Sequence, residues 1–147
     1  MSEKTLWKVV QAGLKKDGRL ALQRLEDHYS SGVPDVLFAT KTKIPLCPPR
    51  VGLLELKFVP CYPKRPETPV RVPSFTPIQR AWLRLFGAAS VGVFVLVQVD
   101  KDYYLFKGPF AADRLGDMTA EEMKKTASAC WKKTLIFSEL ALALTRL

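Results

Sequence analysis

The chain has 147 residues, 48% hydrophobic and 25% charged, with 23 Lys and Arg against 14 Asp and Glu. That length and balance suit one folded domain with its own core and exclude an intrinsically disordered chain. The net charge of +9 favours a polyanionic partner, most often nucleic acid, while three cysteines without CxxC spacing and a lone histidine, His28, argue against zinc.

Over residues 2–16, Leu6, Val9, Val10, Gly13 and Leu14 recur at helical spacing, with Ser2 placed to cap the helix and Glu3 in its first turn. Charges interrupt this stretch, so it lacks the apolar core of a signal peptide. The most apolar stretch near the other end, residues 135–144, is too short to span a bilayer. A soluble, cytoplasmic protein with no membrane partner is the expectation. Asp17 and Gly18 form a turn into a strand over residues 20–26. The polar residues 28–32 then make a hairpin with the apolar run Val36, Leu37, Phe38, Ala39.

Residues 40–50 carry Lys41, Lys43, Arg50 and three prolines, a loop that proline keeps out of any central strand. In the next strand, residues 52–59, Leu54, Leu56 and Phe58 share one face, while Leu53, Glu55, Lys57 and Val59 share the other. Two charges thus stand mid-strand among apolar neighbours. Stripping water from an ion costs on the order of several kcal/mol, so this pair needs each other, a metal or a polar cleft. Prolines at 60, 63, 66, 69 and 73, with Lys64, Arg65 and Arg71 between them, predict an extended, semi-rigid loop that serves as a spacer or as a DNA contact.

A second helix starts at Thr76, with Pro77 in its first position and Gln79 completing a capping box. Ile78, Trp82, Leu85 and Ala89 form its apolar stripe, and Arg80 and Arg84 lie one turn apart on another face. Residues 91–99 predict a strand covered on both faces. Tyr103, Tyr104, Leu105 and Phe106 predict an antiparallel neighbour nearer the edge. A short helix over residues 110–115 follows, then a long one opening at the Thr119 and Glu122 capping box and running past Trp131, Leu135 and Leu142. Its end is apolar most of the way round, so it is covered either by a second subunit or by its own domain.

Asp35 heads one strand, and Glu55 and Lys57 share a face of the next, so adjacent pairing would gather two carboxylates and an ammonium. In this the sequence resembles the PD-(D/E)XK nuclease superfamily, matched by Pro34 and Asp35 and then Glu55, Leu56 and Lys57. It is most similar to the VRR-NUC branch and the phage-type Holliday junction resolvases, with Gly-x-Pro-Asp at residues 32–35, Glu-Leu-Lys at 55–57, and Gln79 on a helix ahead of an apolar strand. The likeness covers roughly residues 3–107 of a single domain, with residues 110–147 as a C-terminal helical extension.

The resemblance implies an α/β fold, a restriction-endonuclease-like mixed sheet flanked by helices. It implies that Asp35, Glu55 and the Leu56 carbonyl hold Mg²⁺, for which Mn²⁺ can substitute, and that Lys57 orients or deprotonates the attacking water. A further carboxylate on the first helix makes Glu3 a metal ligand, with Glu26 as the other candidate, and Gln79 belongs at the catalytic site. Lys41, Lys43, Arg50, Lys64, Arg65, Arg80 and Arg84 are the candidate DNA contacts, mostly to phosphate. The implied activity is structure-selective cleavage of branched DNA by a homodimer, of use in recombination and repair. Cleavage of duplex, flap or single-stranded DNA, or a basic DNA-binding module without activity, are the alternatives.

Overall fold

Residues 2–25, 32–41, 50–89 and 92–145 are described by a computed structural model of the chain. Among them the order is α1 (Glu3–Asp17), β1 (Leu20–Arg24), β2 (Val36–Thr40), β3 (Val51–Val59), α2 (Pro77–Ala88), β4 (Gly92–Val99) and β5 (Asp102–Lys107). There follow α3 (Gly108–Arg114), α4 (Ala120–Thr126), β6 (Ala129–Trp131) and α5 (Phe137–Thr145). The fold is α/β, a mixed six-stranded sheet whose spatial order follows the sequence. Every neighbouring pair is antiparallel except β3 and β4, which run parallel because α2 carries the chain back between them.

Local chemistry sets these elements. The Ser2 hydroxyl accepts the Thr5 N–H at the start of α1, and Gly18, at φ 84°, ends it with its N–H on the Leu14 carbonyl. Leu6, Trp7, Val10 and Leu14 of α1 lie over one face of the sheet with Leu54, Leu56, Phe94 and Leu96. On the other face Val93, Val95, Val97 and Val99 of β4 meet Leu83 of α2, Ala111 of α3 and Met123 of α4. β4 is therefore buried on both sides, as its composition predicts. The proline-rich loop is tied to this second core. Val70, Val72 and Phe75 are buried in it, the Val70 N–H donates to the Met118 carbonyl, and the Tyr62 hydroxyl lies 2.6 Å from both Asp102 Oδ2 and the Tyr104 hydroxyl.

Two expectations are corrected. The long C-terminal helix is broken: its capping box forms at Thr119 and Glu122, but α4 ends at Thr126. Ala127 turns extended, the Ser128 N–H donates to the Leu105 carbonyl, and β6 pairs with β5. The open backbone groups along β5 are satisfied by this added strand, which a continuous helix would leave unpaired. β5 is antiparallel to β4 and nearer the edge than it, as expected, with β6 outside it. The second correction is to α2, where Ile78 and Leu85 of the expected apolar stripe are exposed and Leu83 is the buried side chain.

α5 finds its cover within the chain. Leu140, Ala141 and Leu144 are buried in the same core as α1, and Phe137 lies so close over Gly13 that a methyl group there would collide with its ring. No helix among the described residues is long and apolar enough to cross a membrane.

Candidate active site

β2 and β3 pair from Ala39 and Val51 as far as Val36 and Leu54, and there they part. Asp35 stands at the fork. Its Oδ2 accepts the Leu56 N–H at 2.8 Å, so a side chain replaces the lost ladder bond. In a strand the N–H and C=O of one residue point to the same edge, which directs the Leu56 carbonyl into the same gap. The chain reaches Asp35 through Gly32, at φ 92°, a conformation that glycine adopts without steric cost. A Cβ at Gly32 would also meet Ile78 Cγ2 at 2.8 Å and the Ile78 carbonyl oxygen at 2.9 Å. The glycine of the Gly-x-Pro-Asp motif thus has a physical reason.

Glu55 and Lys57 are each 2% exposed, on the α2 side of β3. Lys57 Nζ lies 3.1 Å from Glu55 Oε1 and 3.6 Å from Glu3 Oε1, and it donates to the Ser74 carbonyl at 2.9 Å. The Ser74 hydroxyl in turn donates to Glu3 Oε1 at 2.9 Å. The ammonium is held by acceptors on three elements, the end of the proline-rich loop, α1 and its own strand. Phe75 adds a ring face 5.9 Å away.

Burial, reinforced by the nearby Asp35 charge, pushes the Glu55 carboxyl up to about 8, and Lys57 opposes this only in part. Burial likewise raises Asp35, against the pull of the Leu56 N–H and of Lys57. Two buried carboxylates that resist ionising together are relieved by a cation placed between them. The oxygen donors here are two carboxylates and a main-chain carbonyl, which suits a hard divalent ion that retains several waters. Among the described residues no group of three or more His, Cys, Asp or Glu side chains is assembled as a metal site. Glu3 is turned to Lys57 and Ser74.

Compared with known proteins, the chain matches no protein-family model and no curated protein. The case for its chemistry therefore rests on the residues themselves.

Asp35, Glu55, Leu56, Lys57 and Glu3 converge. Gln79 forms the expected capping box, its Oε1 accepting the Thr76 N–H at 3.0 Å, and so fixes the N-cap of α2 two residues after Ser74. The candidate DNA contacts separate into groups. Lys64 and Arg65 are exposed on the loop that follows β3. Lys41 and Arg50 lie at the ends of β2 and β3 away from Asp35 and Glu55. Arg80 donates to the carbonyls of Ala112 and Leu115 at 3.0 and 2.7 Å and stacks on Phe75, and Arg84 bonds Asp113 and the Ala112 carbonyl. These two arginines dock α2 on α3. Lys43, Glu26 and His28 lie outside the described residues.

Sequence reasoning missed Ser74 and Phe75. The only signal was position: they fall between the last proline of the loop and the Thr76 cap, where the chain must pass over β3 to begin α2.

Proposed function

We propose that this chain is a metal-dependent endonuclease of the PD-(D/E)XK type that hydrolyses phosphodiester bonds in branched DNA, a Holliday junction resolvase. The observation that carries this reading is the meeting of Asp35 with the buried Glu55 and Lys57 where β2 and β3 part. A structural ion pair explains Glu55 and Lys57, and the Leu56 N–H explains an acceptor at Asp35, but neither calls for a charged carboxylate there that makes Glu55 harder to ionise. That surplus of negative charge supports a divalent cation site and disfavours a DNA-binding module without activity.

Asp35, Glu55 and the Leu56 carbonyl are the groups that would hold Mg²⁺ or Mn²⁺. The ion would polarise the scissile phosphate, lower the pKa of a bound water and neutralise charge on the leaving oxygen. Lys57, held from three sides, keeps a fixed positive charge beside these carboxylates and orients the water that attacks phosphorus. Glu3 and Ser74 hold Lys57, and Glu3 is a positioning residue in this scheme. Lys64 and Arg65, exposed on the loop after the same strand, would contact phosphate without reading sequence.

The test is incubation of the protein with labelled four-way junction, flap, duplex and single-stranded DNA, in Mg²⁺ or in EDTA, beside Asp35→Asn. Cutting of the junction in Mg²⁺ alone, lost in Asp35→Asn, is the expected result. Cleavage that persists in EDTA and in the variant would sink the metal mechanism, and equal cutting of linear duplex would remove the preference for branches.

A further inference from the structure

Between α1 and the edge strand β1 lies a groove of about 300 Å³, with Leu20, Ala21 and Leu22 on one wall and Gln11 and Lys15 on the other. Lys41, whose N–H donates to the Arg19 carbonyl, lines it at one end. Gln11 and Lys15 belong to a row. Lys4, Lys8, Gln11 and Lys15 are exposed and follow one another at steps of four, three and four, which sets them on one face of α1. Trp7, one turn from both Lys4 and Gln11, shows that this face borders β1, because the guanidinium of Arg24, the last residue of that strand, lies 5.6 Å from its ring centroid.

Both walls lead away from Asp35. Arg24 pairs with Val36, the residue after Asp35, and Lys4 follows Glu3, which reaches Lys57. At the far end Leu20 pairs with Thr40, and Lys15 lies in the last turn of α1. From Lys4 to Lys15 the helix rises roughly 17 Å, the length of about five base pairs. Charge selects the occupant. Among the described residues no ion pair or hydrogen bond engages the side chain of Lys4, Lys8, Lys15 or Lys41, and the two acids of α1 are turned elsewhere, Glu3 to Lys57 and Asp17 to Arg19 at 3.7 Å. Like charges one turn apart, such as Lys4 and Lys8, repel, and a polyanion laid along them relieves the repulsion. An acidic peptide paired to β1 fits less well, because its side chains alternate and only every second carboxylate would face α1.

We propose that one strand of a DNA arm lies along this groove, its phosphates on Lys4, Lys8 and Lys15 of α1 and on Arg24 and Lys41 at the two ends of β1, leading away from the phosphate that reacts at Asp35 and Glu55. The position of the reacting phosphate rests on the nuclease reading; the contacts along the groove do not. Lysines on phosphate fix where the arm lies without reading its sequence. The groove offers the free cations that α2 does not, since Arg80 and Arg84 are bonded to α3 and the residues after it.

Binding of a labelled four-way junction in EDTA, over a range of salt concentrations, tests it without cleavage. Lys8→Gln combined with Lys15→Gln should weaken binding by about tenfold or more and make its salt dependence shallower by about two counterions, with an unchanged melting temperature. Lys101→Gln combined with Lys132→Gln removes the same charge from exposed positions beside β5 and β6 and should leave the salt dependence as it was. Affinity and salt dependence unchanged in the groove variant overturn the proposal, even if the wild type cuts the junction in Mg²⁺ and the nuclease reading stands. An equal loss in both variants also overturns it, because net charge alone would then explain the effect. So does a groove variant that keeps the junction and loses a polyglutamate peptide. A wild type that binds the junction and never cuts it removes the nuclease reading, while a salt dependence that still falls by two counterions in the groove variant upholds the groove.

Discussion

Asp35 completes the backbone bonding of Leu56: its carboxylate takes the N–H at 2.8 Å that the departing strand β2 leaves unpaired. One side chain therefore has a structural and a chemical task, and two substitutions separate them. Asparagine retains an oxygen that can accept the Leu56 N–H but carries no charge. Asp35→Asn should keep the melting temperature within a degree or two and reduce cleavage by about a hundredfold or more. Asp35→Ala strands the N–H and should in addition cost about 1–3 kcal/mol in denaturant unfolding. Equal stability of the two variants would show that the bond contributes nothing.

The raised Glu55 carboxyl makes stability depend on pH. Its ordinary value of 4.5 is pushed to about 8 in the folded chain, so between these limits the native state holds a proton that the unfolded chain has released. The stabilisation from that proton is full below 4.5 and is lost as pH rises through 8, on the order of a few kcal/mol. Without metal the melting temperature should fall between pH 5 and pH 8, and Glu55→Gln should flatten the fall. A divalent ion competes with the proton, so Mg²⁺ should raise the melting temperature more at pH 8 than at pH 6. A metal effect that is the same at both values would remove Glu55 from the ligand set.

Much of this arrangement was legible in the sequence because it is local. Alternation over residues 52–59 put Glu55 and Lys57 on one face, and the caps at Ser2, Thr76 and Thr119 opened the helices where expected. What the sequence could not carry was decided by distant partners. A three-residue strand such as β6 has almost no pattern of its own; it exists because β5 offers it open carbonyls and N–H groups. α2 failed differently. Its apolar residues were recognised, but which side turned inward was set by Arg80, whose guanidinium reaches the carbonyls at the end of α3 and holds the Leu83 side against the sheet. The tie between Lys57 and Ser74 spans a proline-rich loop, and no local signal announces it.

Glu55 and Lys57 lie 3.1 Å apart, both 2% exposed, and above pH 8, where Glu55 is ionised, they form a buried ion pair whose energetics should be strongly non-additive. Lys57→Met leaves Glu55 facing Glu3 and Asp35 without its cation and should destabilise the fold by about 3 kcal/mol above pH 8, where Glu55 is ionised in the parent chain, and by less at neutral pH, where Glu55 holds its proton. Adding Glu55→Gln to it removes the unpaired charge and should restore most of that loss. Chemical denaturation of the two single variants and the double variant measures the coupling. Additive losses would mean that water or relaxation screens the pair.

The basic residues should divide into those that hold the fold and those that hold the substrate. Arg80 makes bonds of 3.0 and 2.7 Å to main-chain carbonyls and lies 4.3 Å over the Phe75 ring, so Arg80→Ala should lower stability by about 2 kcal/mol and change DNA affinity little per folded molecule. Lys64 and Arg65 are exposed on the loop after β3, and replacing both with alanine should leave the melting temperature unchanged. If they meet phosphate, the double variant should bind branched DNA more weakly and show a salt dependence shallower by about two counterions, one for each lost contact. Binding measured across a range of salt concentrations gives both numbers. DNA binding weakened in Arg80→Ala and unaltered in the Lys64 and Arg65 variant would move the DNA path from the proline-rich loop to α2.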